Sequence, residues 1–253
     1  MATDPKTRFT SRVRDYVLYR PSYPTAVVEL LKRECGLENG AAVADIGAGT
    51  GIFSKLLLEA GLSVFAVEPN DAMREAAEAE LEEIPGFHSI AATSEATDLD
   101  EASVDLVVAA QAFHWFDRAA ALQEFRRILH SPKWVALIWN NRIETGSPFL
   151  EGYEAILRTY ATDYLKVRHN EIEPDDLAAW FGGGMNTATF PNAQRFDFTG
   201  VEGRLMSSSY APRADDERHA PMMAALRELF DRTAEDGAVE FRYATQVFYG
   251  VLD

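Results

Sequence analysis

Cysteine is nearly missing: Cys35 is the single thiol among 253 residues. One cysteine cannot close an intramolecular disulfide, and no Cys/His spacing suits structural zinc, so neither a disulfide scaffold nor a zinc module holds this chain together. Cys35 sits in an apolar helical stretch and reads as a small buried hydrophobe. Basic residues are also scarce, 24 Lys and Arg against 40 Asp and Glu, for a formal net charge of -16 at pH 7. With no basic run to neutralise phosphates, nucleic acid is not expected as a partner, and the same charge opposes docking on an anionic membrane. No apolar run reaches the length of a membrane span, and the polar stretch from Met1 to Tyr16 lacks the apolar core of a signal peptide. Repeats and low-complexity tracts are absent. The remaining histidines, His88, His130, His169 and His219, are dispersed and make no case for a metal. By elimination the expectation is a cytoplasmic protein, monomer or homodimer, that acts on a small molecule without a metal.

What is present is an ordinary globular composition, 47% hydrophobic and 25% charged. Short apolar runs at 42–46, 63–67, 87–91, 104–110 and 134–139 read as strands, the first buried on both faces and the fourth the strongest run. Between them, 25–35, 52–60, 70–83 and 117–129 carry helical periodicity, with Pro24 before the first and Gly36 after it. Strict alternation of this kind predicts βαβ units with right-handed crossovers and a parallel sheet. After Asn140 the pattern changes. Residues 148–164, 175–181 and 215–234 read as helices, 182–184 as a glycine turn, and 195–201 and 241–252 as antiparallel strands. The fold class expected is α/β: a Rossmann-like, doubly wound sheet of seven strands, mostly parallel with one late antiparallel strand, plus a substrate-side insertion. One domain over 1–253 is expected, divided into an N-terminal lid (1–24), a cofactor-binding core (25–140), the insertion (141–190) and a completing part (191–253).

The most informative local motif is Asp45-Ile46-Gly47-Ala48-Gly49-Thr50-Gly51, a glycine loop between a strand and a helix. Glycines there let the backbone pass close to a ligand. The next strand ends in Glu68-Pro69, twenty-one residues after Gly47 (68 minus 47), near the spacing of about 20 at which an acid reaches a ribose diol in nucleoside-binding α/β folds. A dinucleotide fingerprint requires glycine where Ile52 stands. The spacing Asp45-x-Gly47-x-Gly49-x-Gly51 instead resembles motif I of class I S-adenosylmethionine-dependent methyltransferases. Glu68-Pro69-Asn70 with Met73, Thr93-Ser94-Glu95-Ala96-Thr97, the segment from Asp105 to Phe116, and Arg127-Ile128-Leu129 are similar to the later motifs of the same class. Tyr19-Arg20-Pro21-Ser22-Tyr23-Pro24, Ser207 to Tyr210 and Gln246 to Gly250 resemble the ends of its type 11 and trans-aconitate-like members. Pro132-Lys133-Trp134 departs from the usual Pro-Gly-Gly before the fifth strand.

The resemblance implies S-adenosyl-L-methionine as cofactor. It implies contacts from Asp45, Gly47, Ala48, Gly49, Gly51, Glu68, Pro69, Met73, Ser94, Glu95, Ala96, Gln111, Phe113 and His114. Arg20 is a candidate for the carboxylate of the methionine part, through a bidentate pair. Tyr19, Tyr23, Trp115 and Arg142 are candidates on the acceptor side, with Arg20 first and then Arg142 and Arg204 as candidates for holding an acceptor carboxylate, and Tyr16 joins Tyr19 and Tyr23 in a lid. The reaction implied is in-line displacement of methyl onto a small-molecule acceptor, with an oxygen or carboxylate preferred to an amine. His114 is the one candidate base, although packing against the cofactor is the preferred role. Two rivals remain: a nicotinamide dehydrogenase, opposed by Ile52, and a non-catalytic cofactor-binding protein, which only turnover separates from an enzyme.

Overall fold

The computed structural model of the chain describes residues 17–162, 164 and 174–252. Tyr16, Asp163, His169 and residues 171–173 therefore lie outside the described residues, as does most of the expected lid. The elements are α1 (Thr25–Cys35), β1 (Ala42–Ile46), α2 (Ile52–Glu59), β2 (Ser63–Val67), α3 (Asp71–Leu81), β3 (Phe87–Ile90) and β4 (Val104–Ala110), then a 3-10 turn at Phe113–Trp115. They continue with α4 (Arg118–Ile128), β5 (Leu129–Arg142), α5 (Pro148–Tyr160), α6 (Pro174–Trp180), β6 (Met185–Phe196), α7 (Phe198–Met206), α8 (His219–Thr233) and β7 (Val239–Val251).

Helix starts follow local capping chemistry. The Asn70 side chain accepts from Met73 N, Asp117 from Ala119 N and Ala120 N, and Ser147 from Leu150 N, each satisfying first-turn N–H groups that have no partner inside the helix. The strands form one sheet in the order β3-β2-β1-β4-β5-β7-β6. β1, β2, β3, β4 and β5 run parallel, and β7 is antiparallel to both of its neighbours. The chain builds outward from β1 through β2 to β3, then returns to place β4 on the other side of β1. That reversal opens a crevice at the carboxyl ends of β1 and β4, the usual ligand site of such sheets.

One apolar cluster covers the face carrying Val43, Leu106 and Ile138, under α1 and α2; a second covers the face carrying Ile46, Val107 and Leu137, with Phe125 and Ile128 of α4. A third, centred on Tyr153, Leu226 and Phe241, joins α5, α7, α8 and the start of β7.

Two expectations are corrected. The strand expected at 195–201 is β6, which ends at Phe196; residues 198–206 are helical because the Asp197 carboxylate accepts from Gly200 N and caps α7. β6 begins at Met185, inside the segment expected as the insertion. β5 runs on to Arg142, past the expected end at Trp139. Its parallel pairing with β4 ends at Ile138 opposite Ala110, but β7 carries it further, with Arg142 opposite Tyr243.

Candidate active site

The glycine loop leaves β1 at the crevice. Gly47 N and Ala48 N both donate to the Val67 carbonyl, which locks the loop against β2. At Gly47 (φ 71°) a Cβ would lie 2.6 Å from the Ala112 Cβ, so no side chain fits where the loop passes the end of β4. Gly49 (φ 59°) differs: a Cβ there would meet only the Met73 Cε, at 3.8 Å. Space is therefore kept open over Gly49, with the buried Met73 behind it. Gly51 closes the loop by donating to the Ala48 carbonyl at 2.9 Å.

Two carboxylates flank this space. Glu68 Oε2 accepts from Gly49 N at 2.9 Å and Oε1 from Asn70 N at 2.8 Å. Each oxygen keeps a second lone pair, so the pair of oxygens can still receive two hydroxyls. Burial raises the Glu68 carboxyl above its usual range, against those two N–H bonds. Asp45, 1% exposed, accepts from Ser54 Oγ through Oδ2, while its Oδ1 is buried with no hydrogen-bond partner. Burial pushes its carboxyl up to about 7, opposed by the Ser54 bond and assisted by the Glu68 charge. The Thr50 hydroxyl in the same loop is likewise buried without a partner. Unsatisfied buried polar atoms are uncommon, and two in one loop call for a polar ligand, with a donor for the Asp45 oxygen.

Pro69 is half-buried at the turn into α3. On the third side, Ser94 Oγ donates to Glu95 Oε1, which also accepts from Asp117 N. The segment is fixed again at Thr97, whose N–H and hydroxyl both donate to Glu124 Oε1, with Arg127 bonded to the same carboxylate. Ala96 is left exposed. Beyond β4, Gln111 adopts φ 59°, unusual for a residue with a side chain, and is held by Gln111 N to the Ile138 carbonyl and Nε2 to the Asn140 carbonyl.

Not every expected site residue converges here. The Phe113 ring is fully buried among Phe116, Trp139 and Trp180, on the far face of the sheet, so its side chain belongs to the core. The His114 ring lies tilted, 4.8 Å from that of Trp115, which is 36% exposed. Arg20 Nη2 donates to the Ser207 carbonyl at the end of α7. Tyr23 packs edge-on against Phe53 in the first turn of α2. The Tyr19 ring fills the notch over Gly203, where a Cβ would lie 2.1 Å away. Arg142 is joined to Glu154 and the Tyr164 hydroxyl. Sequence reasoning missed the connector that links these parts. The Ser22 carbonyl receives both Asn140 Nδ2 and Asn192 Nδ2, and Gln194 Nε2 donates to the Tyr19 carbonyl. No local signal reveals it, because its partners lie more than a hundred residues away. Among the described residues no cluster of His, Cys, Asp and Glu is arranged to hold a metal, and no helix is long and apolar enough to cross a membrane.

Residues 44–137 match the family model described as a methyltransferase domain. The chain is a class I S-adenosylmethionine-dependent methyltransferase. An uncharacterized methyltransferase-like protein of Schizosaccharomyces pombe is 27% identical over 95% of this methyltransferase and 93% of its own length. An uncharacterized methyltransferase of Mycobacterium tuberculosis is 38% identical over 56% of this chain and 55% of its own. Among solved structures, one from Anaeromyxobacter dehalogenans, named as a candidate type II methyltransferase, superimposes with a TM-score of 0.66 at 23% identity, covering 92% of this chain and 98% of that one. Phosphoethanolamine N-methyltransferase 2 of Haemonchus contortus, solved with phosphomonomethylethanolamine and S-adenosylhomocysteine, gives 0.57 at 13% identity over 98% of this chain and 58% of that one. At these identities the structural likenesses show the fold alone. The sites of this methyltransferase rest on its own residues.

Proposed function

We propose that this methyltransferase moves a methyl group onto an oxygen of a small anionic acceptor, a carboxylate foremost, by in-line displacement. The observation that carries the reading is the charge buried beyond the strand ends: in a chain of net charge -16, Arg204 is 6% exposed with no carboxylate partner among the described residues. An anionic acceptor supplies that partner. An amine acceptor would be drawn to the acids after Pro148. Of these, Glu154 is already bonded to Arg142, Arg158 and Tyr164 and is held below the usual carboxylate range, chiefly by the Tyr164 and Arg142 bonds acting against burial.

The residues around the crevice fit S-adenosylmethionine. The unpartnered Oδ1 of Asp45 would face the ammonium of its methionine part, and Glu68 would take the ribose diol. Met73 and the 94–96 segment would flank the adenine, and the space over Gly49 would admit the sugar. Bound there, the cofactor supplies an electrophilic methyl carbon on a sulfonium. What the protein adds is alignment and exclusion of water, since two reactants held in register react far faster than in solution. A carboxylate is already a nucleophile near neutral pH and needs no base, so His114 is assigned to the wall of the pocket with Trp115. Residues 17–24 would close the top, and the elements after Asn140 would hold the acceptor.

A screen of carboxylates, phenols and amines with labelled cofactor tests this reading. Label on oxygen is expected. Label confined to amines overturns it.

A further inference from the structure

The Arg204 guanidinium bonds two neutral groups: its Nε donates to the Tyr243 hydroxyl at 3.2 Å and its Nη1 to Ser208 Oγ at 3.2 Å. The rings of Phe241 and Tyr243 lie 5.9 and 6.0 Å from its centre. Hydroxyls and rings do not replace a counter-charge around a buried cation. Two further polar atoms beside it are buried with nothing to bond: the Tyr153 hydroxyl and Arg142 Nη1. Tyr153 is 1% exposed; Arg142 lies 5.2 Å over its ring, and both arginines act electrostatically on its hydroxyl. Burial keeps that hydroxyl protonated well above the usual phenol range. At neutral pH it is a donor without an acceptor.

Three donors thus converge, and the nearby acid does not answer them. Glu154 is engaged by Arg142, Arg158 and Tyr164, with Glu144 4.0 Å from Arg142. Among the described residues, Arg142, Arg158 and Arg204 stand against Glu144 and Glu154, three cations to two anions, which leaves one positive charge over. A single surplus charge matches a monoanionic carboxylate better than a phosphate dianion.

The place matters as much as the charge. Ile138 pairs with Ala110, the last residue of β4, and Arg142 stands four residues further along β5, about 13 Å at the rise of a strand. β5 is two strands away from β1, whose end carries the glycine loop, which adds roughly 10 Å across the sheet. The arginine group is therefore set well apart from the cofactor crevice.

We propose that Arg204, Tyr153 and the Nη1 of Arg142 form a carboxylate anchor for the methyl acceptor, at the end remote from the atom that is methylated. The acceptor is then a bifunctional acid: one carboxylate sits among the arginines and a second oxygen nucleophile faces the glycine loop. This inference rests on the oxygen-transfer reading above.

The test titrates α,ω-dicarboxylates from succinate to pimelate, and inorganic phosphate, into the full chain saturated with S-adenosylhomocysteine, with binding read by calorimetry. At least one dicarboxylate binds. Its affinity falls by about tenfold or more in Arg204→Gln, the lower bound for losing a charge-assisted hydrogen bond, and by a smaller factor in Tyr153→Phe. Affinity for S-adenosylhomocysteine is unchanged in both. Tyr153→Phe removes no hydrogen bond and keeps the wild-type melting temperature; Arg204→Gln melts no lower than wild type, because an uncompensated charge has gone. The anchor is overturned if no dicarboxylate binds at millimolar concentration, if phosphate binds more tightly than all of them, or if Tyr153→Phe, correctly folded, binds as wild type does. Methylation assays separate the two readings. Dicarboxylates that bind through Arg204 while only amines accept label leave the anchor standing and remove the oxygen-transfer reading. Carboxylates methylated equally fast by wild type and both variants leave that reading standing and remove the anchor.

Discussion

Asp45 and Glu68 are two carboxylates in one crevice with different surroundings, and the difference predicts different behaviour. Burial pushes the Glu68 carboxyl up, and two backbone N–H groups oppose that push while leaving lone pairs to receive a diol. Glu68→Ala should weaken S-adenosylhomocysteine binding by about 1–3 kcal/mol, measured calorimetrically on a variant of native circular dichroism. Asp45 has one unsatisfied oxygen and a carboxyl raised from 3.8 to about 7. Between those values the folded state holds a proton that the unfolded state has released, so this residue makes stability fall as pH rises through the window. An ammonium placed against Oδ1 reverses the preference. S-adenosylhomocysteine affinity should therefore rise with pH, by at most about tenfold per unit for one proton, and level off above about pH 7. Asp45→Asn should bind weakly and lose this slope. Gly49→Val should abolish binding, because its side chain would fill the open space and strain a left-handed backbone by about 1–2 kcal/mol. His114→Gln should retain most of the turnover number; a loss of about 10² or more, with a limb of the pH profile gone, would make His114 the general base. The carboxylates and glycines were legible because each sits where a strand runs into the turn before a helix, Asp45 and the glycines after β1 and Glu68 after β2. The ring of Phe113 was not: whether a residue after a strand faces ligand or core depends on the turn, and this turn sends it to the core.

At the scale of elements, legibility follows burial. Strands β1, β2 and β4 begin and end where their apolar runs do, because a sheet covered on both faces selects runs that are mostly apolar; the acids they admit, Asp45 and Asp105, accept from Ser54 Oγ and Ala42 N. β6 has no fully buried residue and contains Pro191, as an edge strand tolerates, so its sequence carries little of the usual signal. The turn before the main part of β5 shows a cost readable from both sides. Lys133, a residue with a side chain, adopts φ 66°. Lys133→Gly should raise stability by about 0.5–1 kcal/mol, seen as a higher denaturation midpoint with an unchanged m-value. Arg142 and Arg204 can be named from the sequence as holders of an acceptor carboxylate, but the group they form with Tyr153 and Tyr243 cannot, because its members come from β5, α5, α7 and β7 and meet only in the folded chain.

For the molecule as a whole, a net charge of -16 with no basic run predicts no salt-sensitive, submicromolar binding to RNA or DNA in fluorescence anisotropy. The sheet order has a consequence for biosynthesis. β7 lies between β5 and β6 but is made from residues 239–251, after both. A ribosome delivers the chain in sequence, so β5 emerges with one edge unpaired, and β6 emerges with no strand to join until the α8 helix has been made. Unpaired edges on a growing chain invite chaperones or aggregation. The cofactor crevice, built wholly from residues before 143, can form while the acceptor half is still being translated. The nascent protein would then hold its methyl donor before it has anywhere to put the methyl group.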